Sequence, residues 1–294
     1  MVLEERYLVI ENLSQAQKRK FSEVYYCVNR VTNQQCVLKQ VHKTPQNNLA
    51  QERLRQEAQF SFDYDGLPLV IDFFEDEQTI QLIKKFEKGV PINEFLLVFS
   101  SKKRRIELGE ILLKITDLLR YIHMQDILHL DIKPSNILVE RNQNNYRVSL
   151  IDFGLAMRKN AFENRKTLFP LGFAAPELIL NQLAVCNNTT DYFSLGITLW
   201  NCLTKKLPLV HPNPSIFTNL QLNHPLPEST LIPSKYYAIL EKLSAKYPFE
   251  IPANQLTEEE VILRLKRAQK NRYQQLSEFT SDWIELTQQK WWRF

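Results

Sequence analysis

The chain has 294 residues, of which 44% are hydrophobic and 24% charged, and it carries a formal net charge of +4. At roughly 100–200 residues per domain, that length means one large domain, two moderate ones or two lobes of one fold. The balance excludes disorder along the whole chain, and the charge is too mild to argue for a nucleic-acid partner. Four scattered cysteines, Cys27, Cys36, Cys186 and Cys202, form no CxxC pair. They argue against a zinc site or a disulfide framework and suit a reducing, cytoplasmic compartment. The opening MVLEERYLVIENL has no apolar h-region, so no leader peptide is expected. The apolar runs, such as Phe95 to Phe99, fall far short of the roughly 18 residues needed to span a membrane.

In chain order, the first part reads as short strands. YLVIENL, FSEVYYCVNRV and CVLKQVHK alternate or run apolar, with Asn33-Gln34-Gln35 as a turn between the last two. Residues 48–61 read as a polar helix carrying Leu49, Leu54, Ala58 and Phe60. VIDFFED and TIQLIKKF are two further strands, and Gly89-Val90-Pro91 reads as a connector. The spacing of Ile111, Leu112, Ile115, Leu118, Leu119 and Ile122 then predicts a helix over 107–125. ILVE and RVSLIDF are short strands, and everything after Pro176 reads as helical with Pro-rich loops. A strand-rich part followed by a helix-rich part predicts an α+β arrangement.

The chemistry concentrates in His129-Leu130-Asp131-Ile132-Lys133-Pro134-Ser135-Asn136, followed by Asp152-Phe153-Gly154 and Ala175-Pro176-Glu177. Phosphoryl transfer works mainly by positioning and by neutralising negative charge. It needs a carboxylate to orient the acceptor hydroxyl and hard oxygen ligands for Mg²⁺. Asp131 and Asn136, five positions apart, place an acid and an amide oxygen on one loop. Asp152 adds a second carboxylate at a strand end, before a glycine.

This set of motifs, HxDxKxxN, DFG, APE and a strand lysine, resembles the eukaryotic-like protein kinase family. The resemblance runs from about Tyr7 to Trp283. It implies a bilobal fold over residues 1–294, with a small antiparallel β-sheet lobe over 1–88 and a larger helical lobe over 89–294. It also implies roles for single residues. Asp131 would be the catalytic base and Lys133 would steady the γ-phosphate. Asn136 and Asp152 would hold Mg²⁺. Lys39 would reach the α- and β-phosphates of ATP, and Glu57 would pair with Lys39; Glu52 on the same helix is the competing partner. ATP is expected near Lys39, Asp152 and Phe86. His129 and Phe153 are expected in the core. Asp191 would anchor the catalytic-loop backbone, and Arg272 would pair with Glu177.

The sequence departs from the family pattern at several points. The positions of the three loop glycines fall on Gln17, Arg19 and Ser22, with Lys18, Arg19 and Lys20 able to supply charge instead. Leu130 replaces the arginine that reads an activation-loop phosphate, which implies that phosphorylation of that loop, for example at Thr167, is not the main switch. Lys84 falls where an apolar residue usually sits, and a buried lysine is costly, so a shift of register is an equal expectation. Lys102 to Arg105 form a basic run, a solvated helix approach or a docking patch for an acidic partner. Trp291-Trp292 reads as a packed tail.

The reading is therefore a protein kinase that transfers the γ-phosphoryl group of ATP to serine or threonine of a protein substrate, with Mg²⁺ and without nucleic acid or a membrane span. Lys133 favours Ser/Thr, while Phe169-Pro170-Leu171 resembles the tyrosine-kinase segment, so tyrosine or dual specificity stays open. A nucleotide-binding pseudokinase or scaffold is the alternative, and a kinase of small molecules is a third. The polar loops would suit a bacterial protein or a secreted effector acting in a host cytosol.

Overall fold

Alternation of side chains along the early strands builds a sheet with one face for a helix and one for a second core. The computed structural model describes residues 3–13, 22–143, 145–159, 161 and 168–288. The expectations for Gln17 to Lys20, Thr167 and Trp291-Trp292 lie outside these residues. The chain divides into two compact units, Met1–Lys88 with Ser149–Leu155, and Gly89–Val148 with Ala156–Phe294.

In the first unit a single turn, α1 (Leu3–Arg6), leads into β1 (Tyr7–Asn12), β2 (Glu23–Asn29) and β3 (Gln35–His42). Helix α2 (Asn48–Ala58) follows, then β4 (Val70–Glu75) and β5 (Thr79–Lys85). The strands form one antiparallel sheet in the order β1-β2-β3-β5-β4. The β2–β3 turn closes through Asn33, which takes a left-handed φ of 57° that Asn tolerates better than most residues. Because side chains on a strand point alternately to opposite faces, Val41, Ile80 and Leu82 meet Leu54 of α2. Tyr7, Cys27, Cys36, Leu38 and Ile83 form a second cluster.

The second unit begins at Gly89, whose φ of 125° and close approach to the Val139 backbone leave no room for a Cβ. Strand β6 (Val90–Pro91), the turn α3 (Ile92–Phe95) and the long helix α4 (Ser101–Met124) come next. They are followed by β7 (Ile127–Leu128), β8 (Ile137–Asn142), β9 (Asn145–Leu150) and β10 (Met157–Arg158). A short turn α5 (Pro176–Ile179) precedes α6 (Asn188–Thr204), α7 (Pro214–Asn223), α8 (Ser234–Leu243), α9 (Glu258–Asn271) and α10 (Leu276–Gln288). Helix α6 is buried on nearly every side and lies against α4 and α8. Its first turn is fixed by a capping box between Asn187 and Thr190.

The helix predicted over 107–125 begins earlier, at Ser101, capped by Ser100, which accepts from the Lys103 amide. The basic run therefore forms the first turns of the helix. Arg104 faces inward and is 5% exposed; its guanidinium donates to the carbonyls of Leu96, Phe99 and Leu203. Lys103 pairs with Glu107, and Arg105 lies over the Tyr236 ring. Lys103, Arg104 and Arg105 thus have partners within the second unit, while Lys102 is exposed. Among the described residues no helix is long and apolar enough to cross a membrane.

Candidate active site

In the first unit, β3, β5, α2 and the segment after β9 bring four charged side chains together. Lys39 lies on the helix-facing side of β3, two residues before Val41. Its Nζ donates to Glu57 Oε1 at 2.8 Å, Glu57 Oε2 at 2.7 Å and Asp152 Oδ1 at 3.1 Å. Glu57 is buried along α2 with Gln51 and Leu54, three residues apart on one face, whereas Glu52 is exposed. The choice between the two glutamates is decided by this helix phase. Burial alone would pull Lys39 down, but Asp152 and Glu57 more than offset it and hold the ammonium above its ordinary value.

Lys84 also points at this cluster. It is 4% exposed, and its Nζ donates to Glu57 Oε1. Lys84 pairs across strands with Val37, two residues from Lys39, so the two lysines are diagonal neighbours on one face of the sheet. The sheet register therefore buries Lys84, and the cost of that burial is met by an ion pair. Burial lowers its pKa, Glu57 opposes that change and Lys39 adds to it, with a net fall.

Asp152 adopts a left-handed φ of 68°, sparsely populated for a residue with a Cβ. Phe153 is fully buried against Phe62 and Phe60, with ring centroids 5.1 and 6.0 Å away. Phe86 stacks edge-on against Tyr26 at 5.0 Å, and its amide donates to the Gln35 carbonyl. Phe86 therefore presents a ring to its surroundings and has no free backbone donor.

In the second unit the loop after β7 carries the other candidates. Asp131 accepts from Lys133 Nζ at 2.9 and 2.7 Å, and from Asn136 Nδ2 at 2.8 Å. Asn136 Nδ2 also donates to the Asp131 carbonyl at 2.8 Å. One ammonium and one amide thus fix the carboxylate's rotation. The loop backbone is held from beneath by Asp191 on α6, whose two oxygens accept from the amides of His129 and Leu130 at 2.9 and 2.8 Å. His123 Nε2 lies 2.8 Å from the same carboxylate. Burial would raise the Asp191 pKa, but His123, His129 and the backbone amide bring it below its ordinary value. These charge-assisted bonds offset the strain of Leu130, which has a φ of 60°. His129 is fully buried, and its Nδ1 accepts from the Asp131 amide at 3.2 Å.

Further along, Arg272 and Glu177 form a buried two-pronged pair, Nη1–Oε1 2.6 Å and Nη2–Oε2 3.1 Å. Thr190 and Gln269 donate to the same carboxylate. Leu130 belongs to an apolar cluster with Leu128, Met157, Ala174, Leu178 and Leu183.

The match to known proteins follows this layout. The family model described as "Protein kinase domain" matches residues 18–286. The chain belongs to the protein kinase family. Its fold is the α+β protein kinase fold, with a five-stranded antiparallel sheet in one unit and a helical second unit. Among curated kinases it is 28% identical over 194 residues to ribosomal protein S6 kinase alpha-3 of Mus musculus, covering 63% of this chain and 25% of that protein. It is 28% identical over 195 residues to the Aurora kinase of Saccharomyces cerevisiae, covering 65% and 52%. It is 30% identical over 151 residues to serine/threonine-protein kinase D of Synechocystis, covering 49% and 28%. These matches span between a quarter and about half of the relatives' own lengths.

Two features of the structure were not legible in the motifs. The Glu57–Lys84 contact needs the register between β3 and β5, and the inward turn of Arg104 needs the true start of α4. The alternation that puts Ile80 and Leu82 on the helix face also puts Lys84 there, and this was the available signal for the first.

Proposed function

We propose that this chain is an ATP-dependent protein kinase with Ser/Thr specificity. The observation that carries the reading is Lys39, which bridges Glu57 and Asp152 through one ammonium. Lys39 binds the α- and β-phosphates, and Glu57 keeps it extended toward them. Phe86 lies by the adenine. Asp131 orients the acceptor hydroxyl and takes its proton as the oxygen bonds to the γ-phosphorus and the bond from that phosphorus to the bridging oxygen breaks, releasing ADP. Lys133, already on Asp131, neutralises charge building on the transferred group.

The donor chemistry fits Mg²⁺. Asn136 commits Nδ2 to Asp131, which leaves Oδ1 as its ligand atom, and Asp152 offers a partly exposed carboxylate. Both are hard oxygens, and a bound Mg²⁺ would shield the phosphate charge. The Lys133–Asp131 contact supports Ser/Thr over Tyr, as do the serine/threonine kinases among the relatives. The acceptor is a protein, and action in a cytosol, including that of a host cell, suits the four unpatterned cysteines. Residues 1–88, joined by Ser149–Leu155, serve as one lobe and the rest of 89–294 as the other.

The second reading, a nucleotide-binding pseudokinase, is favoured by the lack of glycine at Gln17, Arg19 and Ser22. Phosphoamino-acid analysis of protein labelled with γ-³²P-ATP and Mg²⁺ tests the proposal. Label on serine or threonine is expected. Label on tyrosine alone contradicts the specificity, and nucleotide binding without any label favours the pseudokinase.

A further inference from the structure

The charge cluster around Glu57 has an accessible side and a sealed side. The side chains of Lys39 and Asp152 are 15% and 36% exposed, while those of Glu57 and Lys84 are each 4% exposed. Lys84 is too deeply enclosed to touch a ligand, yet its ammonium donates to the same carboxylate as Lys39. Two ammonium groups thus face two carboxylates, and the cluster carries no net charge. Without Lys84 it would carry one negative charge in a poorly solvated place, beside the groups expected to receive a polyanion. Ordinary pairing of Glu57 does not explain Lys84, because Lys39 already reaches both Glu57 oxygens.

We propose that Lys84 is a positioning residue for nucleotide binding: it neutralises Glu57 from the sealed side and so leaves the Lys39 ammonium available to the phosphates of a nucleoside triphosphate. This rests on the nucleotide-binding part of the proposed function and not on phosphoryl transfer. Lys84 acts only through charge, so it favours the triphosphate and is indifferent to the uncharged nucleoside.

The test compares MgATP with adenosine, which lacks phosphates, by titration calorimetry on the full chain. A buried unit charge several ångströms from a polyanion shifts affinity by about ten- to thirtyfold at an intermediate effective dielectric. Lys84→Met is expected to weaken MgATP by that factor and to leave adenosine within about threefold. Lys84→Gln, smaller and polar, is expected to do the same and serves where Lys84→Met does not fold. Lys84→Arg keeps the charge and is expected to keep the affinity. Equal loss for adenosine and MgATP would make Lys84 a packing residue and overturn the proposal. Unchanged or tighter MgATP binding, or no nucleotide binding by the wild-type protein, would overturn it as well. Wild-type protein that binds MgATP with the expected Lys84 dependence but transfers no phosphate upholds the proposal and removes only the kinase reading.

Discussion

At the scale of single residues, the buried ion pairs decide what the chain tolerates. Glu177 and Arg272 are both fully enclosed, so removing one leaves the other charged and unpaired in the core. Arg272→Met is expected to cost roughly 3–5 kcal/mol, read as a lower midpoint in urea at unchanged slope. The pair also sets an acid limit. Burial would raise the Glu177 pKa, but Arg272 overrides it and holds the carboxyl below its ordinary value of 4.5. A carboxyl lowered on folding stabilises the fold above its unfolded pKa, and that stability is lost as the pH falls through the folded value. Urea melts are thus expected to show stability falling as the pH drops below about 4.5, with a shallower fall in Arg272→Met. An identical pH profile in both proteins would contradict this. Most of these residues were legible in the sequence, because Asp131, Asn136, Asp152, Glu177 and Arg272 sit in motifs whose chemistry restricts the residue type. Lys84 was not, since the cost of burying a lysine cannot be judged before its partner is known.

At the scale of elements, the strands and the long helix followed from periodicity, but the ends did not. Helix α4 begins six residues before its predicted start because a run of four basic residues gives no apolar period, and only the inward turn of Arg104 reveals the helix face. The start of α6 is set by side-chain bonds. Asn187 accepts from the Thr189 amide and donates to Gln269. Asn187→Ala is expected to cost about 1–2 kcal/mol, measured by thermal melting, and no shift in melting temperature would contradict the capping assignment. Described residues on either side of Thr167 are held by apolar contacts. Leu130, 1% exposed, packs in one cluster with Met157, Ala174 and Leu178, and Phe169 and Ile179 lie against it. Phosphatase treatment is therefore expected to change transfer activity less than about twofold, whereas Leu130→Ala should destabilise by about 2–5 kcal/mol. A tenfold or greater loss on dephosphorylation would contradict this view of the segment.

At the scale of the whole molecule, the α+β class was legible from the order of strand-rich and helix-rich segments, but the division of the chain was not continuous. Ser149–Leu155 belongs to the first unit although it follows sixty residues of the second. The Leu150 amide bonds to the Gly66 carbonyl, and Phe153 packs between Phe60 and Phe62. Periodicity cannot reveal such a return of the chain, because it depends on long-range contacts. The return carries Asp152 to Lys39. Within the first unit Lys39, Glu57 and Asp152 come together, and within the second Asp131, Lys133 and Asn136 do. The most direct measurement is transfer of label from γ-³²P-ATP with Mg²⁺ by the wild-type chain, Asp131→Ala and Lys39→Ala, with folding checked by circular dichroism. The wild-type protein is expected to incorporate label and both variants to lose about 10²–10⁴-fold; equal incorporation by all three, or none by the wild type, would contradict the account.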